Sequence, residues 1–264
     1  MTFDGVIRNW RDQEPANSHG AVGWKILTER GRYERPYQVA PLVGVHSITF
    51  RMLQSSMTEP AHSHDAKEHV YYIIKGNGKV QLGENIFDVK EGDAVYMPAQ
   101  GTHSIINDSD EFLEHLVISA IPHWSQEDRG KIVDRGRVDP VIRNWRDGPP
   151  HMSHGAVGWS ILAEKAYFQG KRSYEQAPLE GFHALTMHMM PGGQEEGPHE
   201  HVGKEQVYYF LQGRGKMLLG DETFEVRDGD AAYIPPETQH AFINDGDEWV
   251  THLIVSALVP GGMK

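Results

Sequence analysis

The chain has 264 residues, 39% of them hydrophobic, carries a formal net charge of −12 and contains no cysteine. At about 150 residues per domain the length gives one to two globular domains with enough apolar content for a core, which excludes disordered and fibrous readings. The acidic balance argues against nucleic acid or an anionic membrane surface as partner. Without cysteine there is no disulfide, thiolate metal site, iron–sulfur cluster or cysteine nucleophile, so any metal must sit on imidazole, carboxylate or amide groups. Met1 to Gly5 lacks the basic start and apolar run of a secretory signal, and no apolar stretch approaches the ~20 residues of a membrane span, the best being Leu116 to Ile121. The expectation is a cytoplasmic protein.

In chain order, the first informative feature is a repeat. Val6-Ile7-Arg8-Asn9-Trp10-Arg11-Asp12 recurs as Val141 to Asp147, and His19-Gly20-Ala21-Val22-Gly23-Trp24 recurs as His154 to Trp159, at an offset of 135 that becomes 137 after a two-residue insertion. Pro41 then matches Pro178, Gly76 matches Gly213 and His115 matches His252. The chain is a tandem duplication, with its seam expected near the polar run between residues 123 and 138, giving one domain over 1–133 and a second over 134–264. Trp10 with Trp145, and Trp24 with Trp159, are expected to pack the arm preceding each unit against a sheet.

Each half reads as short strands between Gly, Pro, Asn and Asp clusters. His69 to Ile74 and Gln206 to Leu211 are rich in β-branched and aromatic residues, and Lys79 to Leu82 and Lys216 to Leu219 alternate. The Gly-Asn-Gly-Lys and Gly-Arg-Gly-Lys runs at Gly76 and Gly213 lack phosphate-loop spacing and read as hairpin turns between strands. Many short strands written twice predict an all-β protein of two tandem sandwiches or barrels.

Histidines carry the chemistry. The first half has His62-Ser63-His64, then His69 and His103; the second has His199-Glu200-His201, then Gln206 and His240 at matching spacing. Residues i and i+2 of a strand share a face, so each His-x-His pair presents two imidazoles to one side, where further ligands from other strands of a small barrel can converge on one ion.

These residues resemble the cupin superfamily, and in particular its two-barrel members, the bicupins, over nearly the whole chain. The first motif, G-x5-H-x-H-x4-E-x6-G, is matched from Gly193 through His199, His201 and Gly213; the second, G-x5-P-x-G-x2-H-x3-N, from Gly229 through Pro235, His240 and Asn244. The first copy matches similarly, with Ser56 for the opening glycine and Gly101 one place late, departures that touch turns rather than ligands. The resemblance implies two jelly-roll barrels, each holding one divalent metal, two per chain, of Fe, Mn, Zn or Ni. Counting back from Gly76 and Gly213 puts His69 and Gln206 where the family has its ligand glutamate; a competing register puts Glu68 and Glu205 there. His69 and Gln206 are favoured, because the strand then fits without a gap, which makes the ligand sets His62, His64, His69 and His103, and His199, His201, Gln206 and His240.

Four neutral ligands leave an ion its full charge, which favours an anionic substrate able to replace adjacent waters as a chelate. The leading expectation is a metal-dependent isomerase or lyase, the ion acting as Lewis acid in isomerisation, tautomerisation or elimination of a keto-acid, hydroxy-acid or sugar acid. Gln in the glutamate position resembles cupin isomerases, including a bicupin of bacilysin biosynthesis. Alternatives are an Fe(II) dioxygenase cleaving a diketone, catechol or hydroxy-acid, and a non-catalytic small-molecule-binding bicupin. Tyr71 and Tyr208 are expected to face the interior and to supply a phenol, and His115 and His252 to act as proton carriers or to orient ligands, with core packing as the competing role for all four. His46 and His183 share that ambiguity. Arg51 has His188 as its counterpart, a hint that the two cavities differ toward anions. A small-molecule substrate and a homodimer or larger homo-oligomer are the expected partners.

Overall fold

The computed structural model describes residues 6–30, 36, 38–122, 140–164, 173 and 176–259. The seam expected between residues 123 and 138 lies outside the described residues. Each half builds a seven-stranded sheet facing a four-stranded one, so the chain forms two tandem jelly-roll barrels. In the first barrel the large sheet runs, in spatial order, Val141–Asn144, Asp93–Met97, Glu68–Lys75, Leu113–Ala120, Val45–Leu53, Ala21–Thr28 and Pro15–Ser18, and the small sheet Met57–Thr58, His103–Asn107, Asn77–Leu82 and Asn85–Lys90. The second barrel repeats the plan: Val6–Asn9, Asp230–Ile234, Lys204–Gln212, Val250–Leu258, Ala184–Met190, Ala156–Ala163 and His151–Ser153 face Gln194–Glu195, His240–Asn244, Arg214–Leu219 and Glu222–Arg227.

The first strand of each repeat pairs with the other barrel. Val6–Asn9 lies antiparallel to Asp230–Ile234, and Val141–Asn144 to Asp93–Met97. Asn9 fixes the exchange by donating through its side chain to Asp230 Oδ1 at 2.7 Å, and Asn144 donates to Asp93 Oδ1 at the same distance. Trp10 then stacks on Phe50 at 4.1 Å and meets Trp24 edge-on at 5.0 Å, so the arm that pairs with the second barrel is pinned to the first by its aromatic ring.

Alternation along the central strands divides the side chains between two cores. In Glu68–Lys75, Val70 and Tyr72 join the large apolar cluster shared by both barrels, whereas Tyr71 and Ile73 join the interior of the first. Val207 and Tyr209 likewise face the shared cluster, and Tyr208 and Phe210 the interior of the second. The two large sheets are therefore packed back to back, and each barrel keeps a separate interior.

Glu68 and Glu205 lie on the shared side, fully buried. The Glu68 carboxylate accepts backbone N–H groups of Glu180, Gly181 and Phe182 at 3.0, 2.7 and 3.0 Å, and Glu205 accepts those of Val43, Gly44 and Val45 at 2.9, 2.7 and 2.5 Å. Each barrel so holds a loop of the other through one carboxylate. Gly44 permits the approach, since a Cβ there would meet Ala257 Cβ at 2.8 Å and Leu258 O at 2.9 Å.

Gly76 and Gly213 are not hairpin turns. The strands on either side of Gly76 belong to different sheets and do not pair with each other. Gly76 is the corner at which the chain leaves the large sheet for the small one, at φ +88, where a Cβ would lie 2.8 Å from the Phe112 carbonyl oxygen. Gly213 turns the same corner at φ +95. A glycine flanked by strand residues signals a sharp bend but does not say whether the two strands turn back on each other.

Candidate metal centres

The His-x-His segments lie at the mouth of each barrel, tied to its small sheet by one antiparallel bridge. His62 N–H donates to His103 O at 3.0 Å and His103 N–H to His62 O at 2.8 Å; His199 and His240 make the same pair at 3.0 and 2.8 Å. This bridge brings residues far apart in sequence onto one point. His62, His64 and His103 each offer a nitrogen within 4.8 Å of the others, as do His199, His201 and His240. His69 enters from the large sheet, its ring 4.4 Å from His64 and 5.6 Å from His103, and it is buried. Gln206 occupies the equivalent place in the second barrel, also buried.

The nitrogens are oriented before any ligand arrives. His62 Nδ1 lies 2.9 Å from Pro60 O and His103 Nδ1 2.8 Å from Gly101 O. His199 Nδ1 lies 2.9 Å from Gly197 O, and His240 Nδ1 2.8 Å from Thr238 O. A carbonyl only accepts, so in all four rings Nδ1 carries a proton and Nε2 is the nitrogen left over for a ligand, the orientation found in metal-ligating histidines. Buried and without hydrogen-bond partners are His103 Nε2, His69 Nδ1, His240 Nε2 and Gln206 Oε1. Burial, reinforced by neighbouring imidazoles, holds His64 and His103 down to about 4, and burial is likewise the main cause that takes His201 to about 3 and His240 to about 4. Burial thus favours the neutral form of these four rings. A cluster of orphaned, neutral, convergent nitrogens can hold a divalent cation, and among the described residues both barrels contain one.

Glu68 and Glu205 face the opposite way, into the joint between barrels, with their carboxylate oxygens occupied by backbone amides. Tyr71 and Tyr208 do face the interiors, their rings 5.9 Å from His103 and 6.1 Å from His240. Each phenol lies near a buried carboxylate: Glu59 helps to raise the Tyr71 phenol, and the Tyr208 hydroxyl donates to Glu196 at 3.4 Å. His115 and His252 lie one layer deeper, fully buried, against Tyr71 at 5.2 Å and Tyr208 at 5.1 Å. The tyrosine ring stands between each deep histidine and the cluster at the mouth. His46 lines the same cavity as His62, His64 and His69 and lies beside Glu29 Oε2 at 2.9 Å, and His183 lies beside Glu164 Oε2 at 3.1 Å.

Sequence reasoning missed several neighbours. His19 stacks on His62 at 4.4 Å and His154 on His199 at 4.1 Å, with ring planes 18° and 3° apart. Their signal was the duplicated His-Gly pair, which adopts left-handed φ at both residues in each copy and so turns the ring toward the cluster. Lys204 is half-buried, and its charge helps keep His201 and His240 neutral. In the first barrel, a cavity of about 660 Å³ runs from His62, His64 and His69 along the inner face of the large sheet, past Lys67 and Arg51. Arg51 is buried, ion-paired with Glu59, and donates to Ser18 O at 2.8 Å.

The cupin domain family matches residues 49–119 and 185–256, once in each barrel and over half of the chain in total. An uncharacterized protein of Methanocaldococcus jannaschii is 44% identical over 64 residues, 24% of this chain, and the match spans about half the length of that relative. Among solved structures, a deletion mutant of Bacillus subtilis oxalate decarboxylase aligns over 98% of this chain and 78% of its own, at 17% identity and a TM-score of 0.71. Lactobacillus farciminis oxalate decarboxylase in its formate complex aligns over 98% of this chain and 88% of its own, with the same identity and TM-score. A Bacillus subtilis oxalate decarboxylase characterised for its Mn(II) centres aligns with a TM-score of 0.72. At this identity the likeness speaks to the fold. With the domain matched in both halves and two jelly-roll barrels built on one duplicated plan, the chain belongs to the cupin family, as a bicupin.

Proposed function

We propose that this bicupin is a metal-dependent lyase or isomerase acting on a small carboxylate-bearing substrate, with the first barrel as its main reaction chamber. The observation that carries this reading is the cavity of about 660 Å³ that joins the His62, His64 and His69 rings to Lys67 and Arg51. Its size lies within the ordinary range of small-molecule sites, roughly 300–1,000 Å³. A cavity of this extent admits a hydroxy-acid, keto-acid or sugar acid.

The ligands in this reading are His62, His64, His69 and His103 in the first barrel and His199, His201, Gln206 and His240 in the second. A divalent ion held there supplies Lewis acidity, polarising a carbonyl or carboxylate oxygen of the bound anion. The side chains do the rest. Lys67 offers positive charge to a carboxylate at the mouth. Tyr71, its phenol near the Glu59 carboxylate, stands beside His103 with ring centroids 5.9 Å apart, and its hydroxyl is the group assigned to hold or pass a proton. Burial raises that phenol far above its ordinary range, so it acts as a donor and not as a phenolate. His115 packs on the Tyr71 ring and holds its orientation. In the second barrel Tyr208 and His252 stand in the same relation.

The test is metal analysis of protein purified without chelator or nickel resin, followed by turnover of a panel of hydroxy-acids, keto-acids and sugar acids with Mn, Zn or Fe(II) restored. The expected result is metal-dependent turnover without oxygen uptake, abolished by His62→Ala with His64→Ala. Turnover only with Fe(II) and with oxygen consumed would move the protein to the dioxygenases, and neither metal nor turnover would leave it a binding protein.

A further inference from the structure

Below the mouth of the second barrel lies a group of polar side chains that the proposed reaction uses only through the packing of His252 on Tyr208. His188, Glu196 and His252 are all buried, and one nitrogen or oxygen of each lies within 4.8 Å of the others. His188 and His252 are directly opposed across neighbouring strands, their rings 5.6 Å apart. Glu196 Oε2 is engaged by the Phe242 N–H at 3.1 Å and the Tyr208 hydroxyl, but Glu196 Oε1, His188 Nδ1 and both His252 nitrogens have no hydrogen-bond partner. Unpartnered atoms on all three side chains of one buried group are costly, and a ligand would satisfy one atom of each; the first barrel also leaves Glu59 Oε2 and both His115 nitrogens unpartnered, so the added feature here is His188.

The first barrel shows what fills the same place there. Its carboxylate is Glu59, its deep histidine is His115, and opposite His115 stands Arg51, where the second barrel has His188. Arg51 pairs with Glu59 and supplies the positive charge that a buried carboxylate needs. In the second barrel that cation is gone, and neither histidine replaces it, because burial holds His188 at about 4 and His252 well below its ordinary value. Two imidazoles and one carboxylate are a donor set for Zn(II), Co(II) or Fe(II), and the three donor atoms already lie within 4.8 Å of one another.

We propose that His188, Glu196 and His252 form a further divalent-cation site inside the second barrel, separate from the His199, His201 and His240 cluster and screened from it by the Tyr208 ring. The ion takes the place that the Arg51 guanidinium occupies in the first barrel, so the duplicated units have exchanged an arginine for a metal.

The experiment is metal stoichiometry of the full chain after loading with Co(II) and gel filtration, in a background carrying His199→Ala and His201→Ala. Adding His188→Arg restores the pairing found in the first barrel, and is expected to lower the content by one equivalent per chain and to remove a set of Co(II) visible bands. Equal content with and without His188→Arg overturns the proposal. Should His188→Arg fail to fold, as read by circular dichroism, the reciprocal Arg51→His decides: a gain of one equivalent supports the site and no gain overturns it. Whether the mouth of the first barrel holds metal is read independently, from the loss caused by His62→Ala with His64→Ala, and does not alter either difference.

Discussion

Glu205 and Gln206 are neighbours with opposite duties, and alanine at each position separates them. Glu205→Ala removes the acceptor of three backbone N–H bonds of 2.5 to 2.9 Å and leaves the amides of Val43, Gly44 and Val45 buried without a partner. A buried donor left unsatisfied costs about 1–3 kcal/mol. The sum is reduced because the carboxylate's own burial is unfavourable, raising its pKa, and because water can enter the space vacated. A net loss of about 3–5 kcal/mol follows, which for a chain of this size lowers Tm by about 10 °C. Gln206→Ala removes an amide whose oxygen has no protein partner, so its effect on Tm of the metal-free protein is small, while the second barrel loses a ligand. The assay is calorimetry of the chelated protein alongside metal content per chain after loading. Loss of metal with unchanged Tm in Glu205→Ala, together with full retention in Gln206→Ala, would refute the assignment and return the ligand role to the glutamate.

Other consequences can be measured directly. Asn144→Ala removes the side chain that binds Asp93 and the Glu91 carbonyl and caps the turn at Trp145, and is expected to cost about 2–3 kcal/mol in urea unfolding, with Asn9→Ala costing the same; no loss at either would mean that the exchanged strands contribute little. His115 has its folded pKa depressed by burial, and then by Arg51, to about 3, so between pH 6.5 and 3 the unfolded chain binds the extra proton and stability falls as pH falls. The slope from this one group is at most about 1.4 kcal/mol per pH unit, so His115→Leu should gain on the wild type by about 2 kcal/mol between pH 7 and pH 5; a constant difference would refute a neutral buried imidazole. Added Mn(II) or Zn(II) should raise Tm of the wild type in proportion to the logarithm of its concentration, and leave Tm unchanged once His62, His64, His199, His201, His188 and His252 are all alanine.

Much of the architecture was legible because duplication writes each inference twice. A strand pattern that is ambiguous over Lys79 to Leu82 becomes persuasive when Lys216 to Leu219 repeats it at the same distance from a His-x-His pair. Period-two alternation also placed Tyr71 inside the barrel and Glu68 outside it. The strand exchange was hidden for a physical reason. Val6 to Asn9 and Val141 to Asn144 have the same four residues, so either would suit either sheet edge, and only the path of the whole chain decides which edge each takes. The partners of Glu68 lie 112 to 114 residues away and meet it through backbone amides, which carry no side-chain signature. The stacking of His19 on His62 was hidden because it depends on left-handed backbone at a residue other than glycine.

The duplicated units have not remained equivalent, and the difference lies beneath the metal ligands. The mouths differ by one side chain, His69 against Gln206, and both donors there are neutral. One layer down, the first barrel closes its buried charge internally through Arg51 and Glu59, and its cavity reaches past that pair along the sheet. Arg51 is thereby held rigidly, its other guanidinium nitrogen on the Ser18 carbonyl, and an anion in the cavity meets a guanidinium that is already oriented and whose charge is shared with Glu59. The second barrel has His188 in place of that guanidinium, beside the buried Glu196 carboxyl, which burial pushes up to about 7. On the proposed reading, in which the first barrel selects the substrate, Arg51→His, which makes its interior like that of the second, should raise KM for an anionic substrate more than it lowers kcat.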